Sequence, residues 1–229
     1  MLRVVSQPPV VAAEELIAWA AERYAPRVLF TTAFGAAGCV LVAMIAERRL
    51  PIDIATLDTG LLFPETYALW RRLEARYGVT IRAITPEQTV TEQANAYGPR
   101  LWERAPDLCC ELRKVRPLAR ALAGRDAWVT SIRRDETQDR ASAAPVETDA
   151  RFGVVKINPL LTWTAKDVWR FVREHGVPTS PLHARGYPSI GCVPCTTPVA
   201  VGEAPRAGRW RGLEKTECGL HARAAFAKG

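Results

Sequence analysis

Arg27-Val28-Leu29-Phe30-Thr31-Thr32-Ala33-Phe34-Gly35-Ala36-Ala37-Gly38, continued by the apolar run Cys39 to Ala46, carries the most structural information in the chain. Residues 27–32 form a short apolar run, the pattern of a buried strand. Residues 33–38 are small and turn-forming, and the run from Cys39 to Ala46 reads as a buried helix. Strand, small-residue loop and helix make a unit whose backbone N–H groups and helix N-terminus can receive a phosphate. The loop lacks the Gly-Lys-Ser/Thr of a Walker A motif and is not Gly-x-Gly-x-x-Gly. Taken alone, it is equally an ordinary strand-to-helix turn.

The flanking sequence extends this pattern. Residues 11–24 set Val11, Leu16, Ile17, Trp19 and Ala20 among Glu14, Glu15, Glu22 and Arg23, an amphipathic helix that Pro26 ends. Ile52–Leu57 predicts a second strand, running into Asp58-Thr59-Gly60. Pro64 suits the first turn of a helix to Tyr77, and Val79–Ala83 predicts a third strand. Residues 86–106 are polar and without clear period. Residues 127–132 and 152–157 predict two further strands, with a mobile loop over 137–151 between them. Thr164 and Gly176 fit the N-cap and C′ positions of a helix over Ala165–His175. Strands alternating with helices predict an α/β fold, a mostly parallel sheet flanked by helices. Ligands of such sheets bind outside the carboxyl ends of the strands. The 32–38 loop, the 58–60 turn and Arg133-Arg134-Asp135-Glu136 all fall there. Two arginines at a strand end suit a sulfate or phosphate; a solvated turn is the plainer alternative.

The chain has six cysteines. Four come in two pairs, Cys109-Cys110 and Cys192-Val193-Pro194-Cys195. Four thiolates suit tetrahedral zinc or an iron–sulfur cluster; buried free cysteines are the alternative. Adjacent side chains on a helix diverge by about 100°, which a larger cluster body tolerates better than one ion. The pair predicts the opening of a helix, broken or bent near Pro117, with Arg113 and Lys114 four residues after Cys109 and Cys110 and lying over the thiols. Cys39, on the apolar side of its helix, reads as core. Cys218 stands apart in Glu217-Cys218-Gly219-Leu220-His221, a Gly-flanked segment expected to be mobile and accessible, with His221 placed to aid a thiolate and Glu217 to oppose it.

Bulk properties narrow the classes. At 229 residues and 48% hydrophobic content the chain can bury a sizeable core. No apolar run approaches the roughly 20 residues of a membrane span, and Met1–Pro9 lacks the features of a signal peptide. A cytoplasmic protein is expected, where paired cysteines argue for metal or catalysis rather than disulfides. The net charge of +7 suggests an anionic partner. Its scattered arginines suit a small anion better than nucleic acid.

These residues together resemble the assimilatory adenylyl-sulfate reductases of the PAPS reductase family. The resemblance rests on the two cysteine pairs, Lys114, Leu57-Asp58-Thr59-Gly60 with Phe63-Pro64-Glu65-Thr66, Arg133-Arg134-Asp135, Leu182-His183-x-Arg185-Gly186-Tyr187 and the Glu217–His221 segment. It covers nearly the whole chain from about residue 27. It implies an adenine nucleotide α-hydrolase-like fold and a [4Fe–4S] cluster on Cys109, Cys110, Cys192 and Cys195. It further implies that Cys218 attacks the sulfur of adenosine 5′-phosphosulfate (APS), releasing AMP, and that thioredoxin reduces the S-sulfonate to release sulfite. The implied substrate-binding set is Phe34, Gly35, Leu57, Asp58, Gly60, Lys114, Arg133, Arg134, Arg206 and Arg209. Ala33 and Ala37 stand where the family commonly carries serine and glutamate, which leaves backbone donors in the loop. The expected division is a nucleotide- and cluster-binding body over 1–205 and a segment over 206–229 carrying Cys218. The competing readings are a reductase of the 3′-phosphorylated nucleotide (PAPS) and a zinc-stapled nucleic-acid-binding module. A tRNA-thiolating or ATP-pyrophosphatase enzyme would favour a Ser-Gly-Gly-x-Asp-Ser loop, which is missing. Nucleic acid and membrane are not expected as partners; a homo-oligomer stays open.

Overall fold

The structure, a computed structural model, describes residues 12–221. Val11, the start at Met1–Pro9 and the last residues of the 206–229 segment lie outside the described residues. The chain alternates as expected. Helix α1 (Ala13–Tyr24) leads into strand β1 (Val28–Thr32), helix α2 (Ala36–Glu47) and strand β2 (Asp53–Leu57). Helix α3 (Pro64–Tyr77) and strand β3 (Ile81–Ile84) follow. Six strands form one sheet in the order β3-β2-β1-β4-β6-β5, with β4 at Ala127–Val129, β5 at Val146–Asp149 and β6 at Val154–Ile157. The first five are parallel; β5 runs antiparallel on β6 at the edge.

Alternating side chains divide β1 between two cores, as the strand period requires. Val28 and Phe30 face a large cluster with α1, α2, α3 and helix α9 (Ala165–His175). Leu29 faces the other side with Ala55, Leu118, Leu122 and Trp128. Ala37 to Ile45 are all buried, which is why α2 is apolar all round: it is packed on every side. On the second face, helix α7 (Arg116–Leu122) supplies Leu118 and Leu122, and Leu220 from the chain's end packs beside them.

Four expectations change. Helix α2 begins at Ala36 rather than Cys39, because Gly35 serves as its N-cap and its carbonyl accepts the Cys39 N–H at 3.0 Å. Residues 86–106 hold helix α4 (Val90–Tyr97), capped reciprocally by Thr89 and Glu92, and the single turn α5 (Leu101–Arg104). The cysteine pair ends a helix instead of opening one. Helix α6 (Pro106–Cys110) passes into a π-helical turn over Glu111–Val115 and then into α7. In that turn the Arg116 N–H reaches the Glu111 carbonyl, and the wider register accommodates Pro117 without breaking the helix. Lastly, residues 137–151 are not a loose loop. They hold helix α8 (Gln138–Ala141) and β5, and their polar residues are paired: Glu147 with Lys156 at 3.2 Å, Asn158 with the Ala144 carbonyl at 2.7 Å.

Strand order reverses between β1 and β4: the chain moves from β1 outward to β2 and β3, then returns to the other side of β1. Such a switch point opens a crevice beyond the strand carboxyl ends. No helix among the described residues is long and apolar enough to cross a membrane.

Candidate active site

At the end of β1 the backbone makes an unusual turn. Phe34 has φ 58°, its N–H donates to Thr32 Oγ1 at 3.0 Å, and its ring stacks on Trp70. Gly38 lies so close behind that an added Cβ would stand 2.5 Å from Thr32 Oγ1, so only glycine fits. Gly35 caps α2 with no side-chain acceptor on the first-turn N–H groups. These donors open into a cavity of about 630 Å³ at the switch point.

Of the residues read as substrate-binding, Phe34, Gly35, Leu57, Lys114, Arg133, Arg206 and Arg209 line this cavity. Asp58, Gly60 and Arg134 stand outside its wall. The Asp58 carboxylate accepts from Tyr67 Oη at 2.6 Å and Gly60 N at 3.0 Å, which fixes the turn after β2. Arg134 donates through Nε and Nη2 to the Ala143 carbonyl. Arg133 is half-buried and pairs with Asp135 at 3.0 Å and Glu136 at 3.4 Å.

The two cysteine pairs meet beside the cavity. The strand-end turn draws the second pair in: Val193 N donates to the Leu61 carbonyl at 2.8 Å, and Cys192 Sγ lies 3.3 Å from Thr59 Oγ1. Cys109, Cys110 and Cys192 are buried and Cys195 is partly so. Burial pushes the Cys109, Cys110 and Cys195 thiols up to about 11, with the neighbouring sulfurs adding to it at each. Lys114 lies against them. Burial would lower its ammonium, but the sulfurs of Cys192, Cys218 and Cys110 outweigh that and push it up. Among the described residues no group of three or more His, Cys, Asp or Glu side chains gathers tightly enough for one metal ion. Four electrostatically coupled thiols faced by a cation fit a thiolate-ligated cluster in donor chemistry.

Through residue 221 the segment expected to be mobile makes specific contacts. Thr197 N donates to the Gly208 carbonyl at 2.8 Å and Trp210 N to the Cys195 carbonyl at 3.1 Å, tying residues 208–210 to the second cysteine turn. A Cβ on Gly208 would stand 2.0 Å from the Thr197 carbonyl oxygen. Farther on, Glu217 is buried, Cys218 lines the cavity, and His221 stacks on Trp128 with ring centroids 5.2 Å apart. Burial and the charges of Arg140, Lys156 and Arg206 push the His221 imidazole well down, so it is neutral. Glu217 is neutralised by pairing. Burial would raise its carboxyl, but Arg140, Arg206 and the Thr137 hydroxyl hold it below the usual carboxylate range. The expected opposition of Glu217 to a thiolate is therefore offset by two guanidinium groups.

Several lining residues escape the sequence reading. Arg140, Thr59, Trp128 and Trp169 all face the cavity. His183 does too, with Nδ1 2.9 Å from the Tyr187 carbonyl and its imidazole lowered by burial. Its motif was visible in the sequence, but not a position for its ring. The one local signal for Arg140 is its spacing of four from Glu136, with which it pairs.

Comparisons with known proteins agree with this geometry. A profile of the phosphoadenosine phosphosulfate reductase domain matches residues 27–198. The chain is 50% identical over 208 residues to the adenosine 5′-phosphosulfate reductase of Streptomyces coelicolor, covering 90% of this chain and 87% of that one. It is 44% identical over 214 residues to adenosine 5′-phosphosulfate reductase 1 of Bacillus subtilis, covering 93% and 92%. Among solved structures, phosphoadenylyl-sulfate reductase from Candida auris in a phosphate complex matches with TM-score 0.73 and 34% identity, over 82% of this chain and 91% of that one. The FMN adenylyltransferase of Candida glabrata, at 16% identity and TM-score 0.58 over 90% and 72%, shares the fold alone.

Proposed function

The chain belongs to the phosphoadenosine phosphosulfate reductase family, and from that premise we propose that it reduces APS to sulfite and AMP, with thioredoxin as electron donor. One observation carries this reading: Cys218 opens onto the same cavity as the Gly35 turn, Lys114, Arg206 and Arg209. The α2 N-terminus and Gly35 receive the nucleotide phosphate. The Cys218 thiolate attacks the sulfate sulfur, an S–S bond forms, and the bond from sulfur to the phosphate oxygen breaks as AMP leaves. Cys218 then carries an S-sulfonate. Two thioredoxin thiols supply the two electrons that release sulfite, becoming a disulfide and returning Cys218 as a thiol. Because a thiolate approaches a substrate that is itself anionic, fixed cations are needed. Lys114, Arg206 and Arg209 supply them in a partly enclosed site, where such charges count most. Asp58, Gly60 and Arg134 act one step back, shaping the turns beside the substrate, and Arg133 supports the sulfate side.

Cys109, Cys110, Cys192 and Cys195 would hold a [4Fe–4S] cluster. When bound, it supplies a crosslink between the two cysteine segments and a charge that Lys114 balances. Within this reading residues 1–205 are the nucleotide- and cluster-binding body and 206–229 the segment bearing the nucleophile. The setting is cytoplasmic sulfate assimilation.

Incubation with each sulfated nucleotide, followed by mass measurement of the intact chain, tests substrate and intermediate together. APS should add one sulfonate to the wild-type chain and none to Cys218→Ser, while AMP binding persists in both. A Cys218→Ser chain that still forms sulfite overturns the reading. Likeness to the Candida auris enzyme favours PAPS as a second substrate, and an equal adduct with PAPS would establish it.

A further inference from the structure

Both oxygens of the Glu217 carboxylate are fully engaged. Oε1 accepts from Arg140 Nε at 2.7 Å and Thr137 Oγ1 at 3.0 Å; Oε2 accepts from Arg140 Nη2 at 3.0 Å and Arg206 Nη2 at 3.4 Å. Glu217 and Arg140 are both buried. The backbone on either side is held too: Arg206 Nη2 donates to the Thr216 carbonyl at 2.7 Å, and Arg151 Nη1 to the Gly219 carbonyl at 2.7 Å. Cys218 is thus fixed through the residues that flank it. A carboxylate beside a thiol that must ionise is unfavourable unless its charge is cancelled. A buried carboxylate is tolerated only when paired and hydrogen-bonded, and here the pairing spans the chain, from the 137–140 segment to its end.

We infer that Glu217 is the positioning residue that seats Cys218 over the cavity, acting through the bidentate Arg140 contact and Arg206. The inference rests on Cys218 being the nucleophile. Its second consequence concerns the partners. While engaged by Glu217, Arg140 and Arg206 offer less charge to the cavity, so releasing Glu217 frees them toward an anion.

The test uses the full-length holoprotein with Glu217→Ala, Glu217→Gln, Glu217→Asp and Cys218→Ser. Three quantities are read by mass and calorimetry: the rate of Cys218 sulfonation by APS, the rate of Cys218 alkylation by iodoacetamide without nucleotide, and AMP affinity. Breaking a buried pair from one side is costly, so Glu217→Ala and Glu217→Gln should sulfonate on the order of 100-fold more slowly. Their Cys218 should alkylate about 10-fold faster. AMP should bind them as tightly as wild type or more so, a split that general damage would not give. Glu217→Asp should recover part of the sulfonation rate. Cys39, fully buried in the core, serves as the fold control in the same spectra. Wild-type sulfonation and alkylation in Glu217→Ala and Glu217→Gln would overturn the inference. Exposure of Cys39 in both would assign the pair to stability and overturn it as well. Sulfonation of Cys218→Ser would instead refute the nucleophile assignment beneath it.

Discussion

Lys114 shows how a single residue could be read from sequence and what the reading left out. Its spacing from Cys110 put it beside the sulfurs, and it is coupled electrostatically to Cys110, Cys192 and Cys218 together. The link to Cys218 needed tertiary structure. Replacing it with methionine keeps the length and removes the charge. Sulfonation should slow by about 100-fold, the scale of losing one preorganised charge contact, measured by quenching the APS reaction and weighing the chain. An unchanged rate would remove Lys114 from the sulfate site. The meeting of the two cysteine pairs was readable because thiols at these spacings suggest a shared centre. Arg140 was not, since an arginine in a polar stretch looks like surface until Glu217 arrives from the far end of the sequence. Asp58 entered the substrate-binding set through the family resemblance alone, and its carboxylate accepts from Tyr67 and Gly60 at the strand end.

At the scale of elements, what followed a period was read well and what depended on pairing was not. Helices α1, α3 and α9 declared themselves by apolar spacing, Pro64, Thr164 and Gly176. Strand β5 did not, because Glu147, Thr148 and Asp149 are polar and are satisfied across the edge by β6. The π-helical turn was equally hidden, as it answers to Pro117 and to the packing of two flanking helices rather than to a residue pattern. The clamp between 196–197 and 208–210 is the element-scale feature most open to test. Gly208→Ala puts a methyl into the Thr197 carbonyl. Strain of that kind costs about 1–3 kcal/mol, so the melting temperature should fall by several degrees. Cys218, ten residues further on, should alkylate faster. A variant with unchanged melting and unchanged alkylation would show that the clamp contributes nothing.

For the whole molecule, the α/β class and the mostly parallel sheet were readable from strand–helix alternation, whereas the strand order and the switch point between β1 and β4 rest on the return to β4, which no local pattern records. Iron and acid-labile sulfide should each be present at about four per chain in anaerobically purified protein, and stoichiometric zinc in a colourless protein would remove the cluster. The docked end should also respond to acid. Because Glu217 titrates lower when docked than its ordinary value of 4.5, its contribution is complete above that value. It is lost as pH falls through the lower docked value. Arg140 and Arg206 face it directly, Cys218 adjoins it, and Glu136 and Asp139 lie one contact away. Pulsed labelling of Cys218 with dithiodipyridine, which reacts at acidic pH, should show full protection above about pH 4.5 and its progressive loss as the pH falls below that; protection that stays constant until the fold itself is lost would contradict this. One consequence of the clamp at 208–210 is a length. From Arg211 to Cys218 the chain can stretch about 25 Å at roughly 3.5 Å per residue. Cys218 is therefore tethered, its local concentration at the cavity in the millimolar range. It can swing outward only as far as that short leash allows, so on the proposed function an electron donor would have to come to the rim of the protein to meet it. Doubling the tether with glycine and serine should cost about 0.6 kcal/mol in return to the cavity, less than a threefold change in docking.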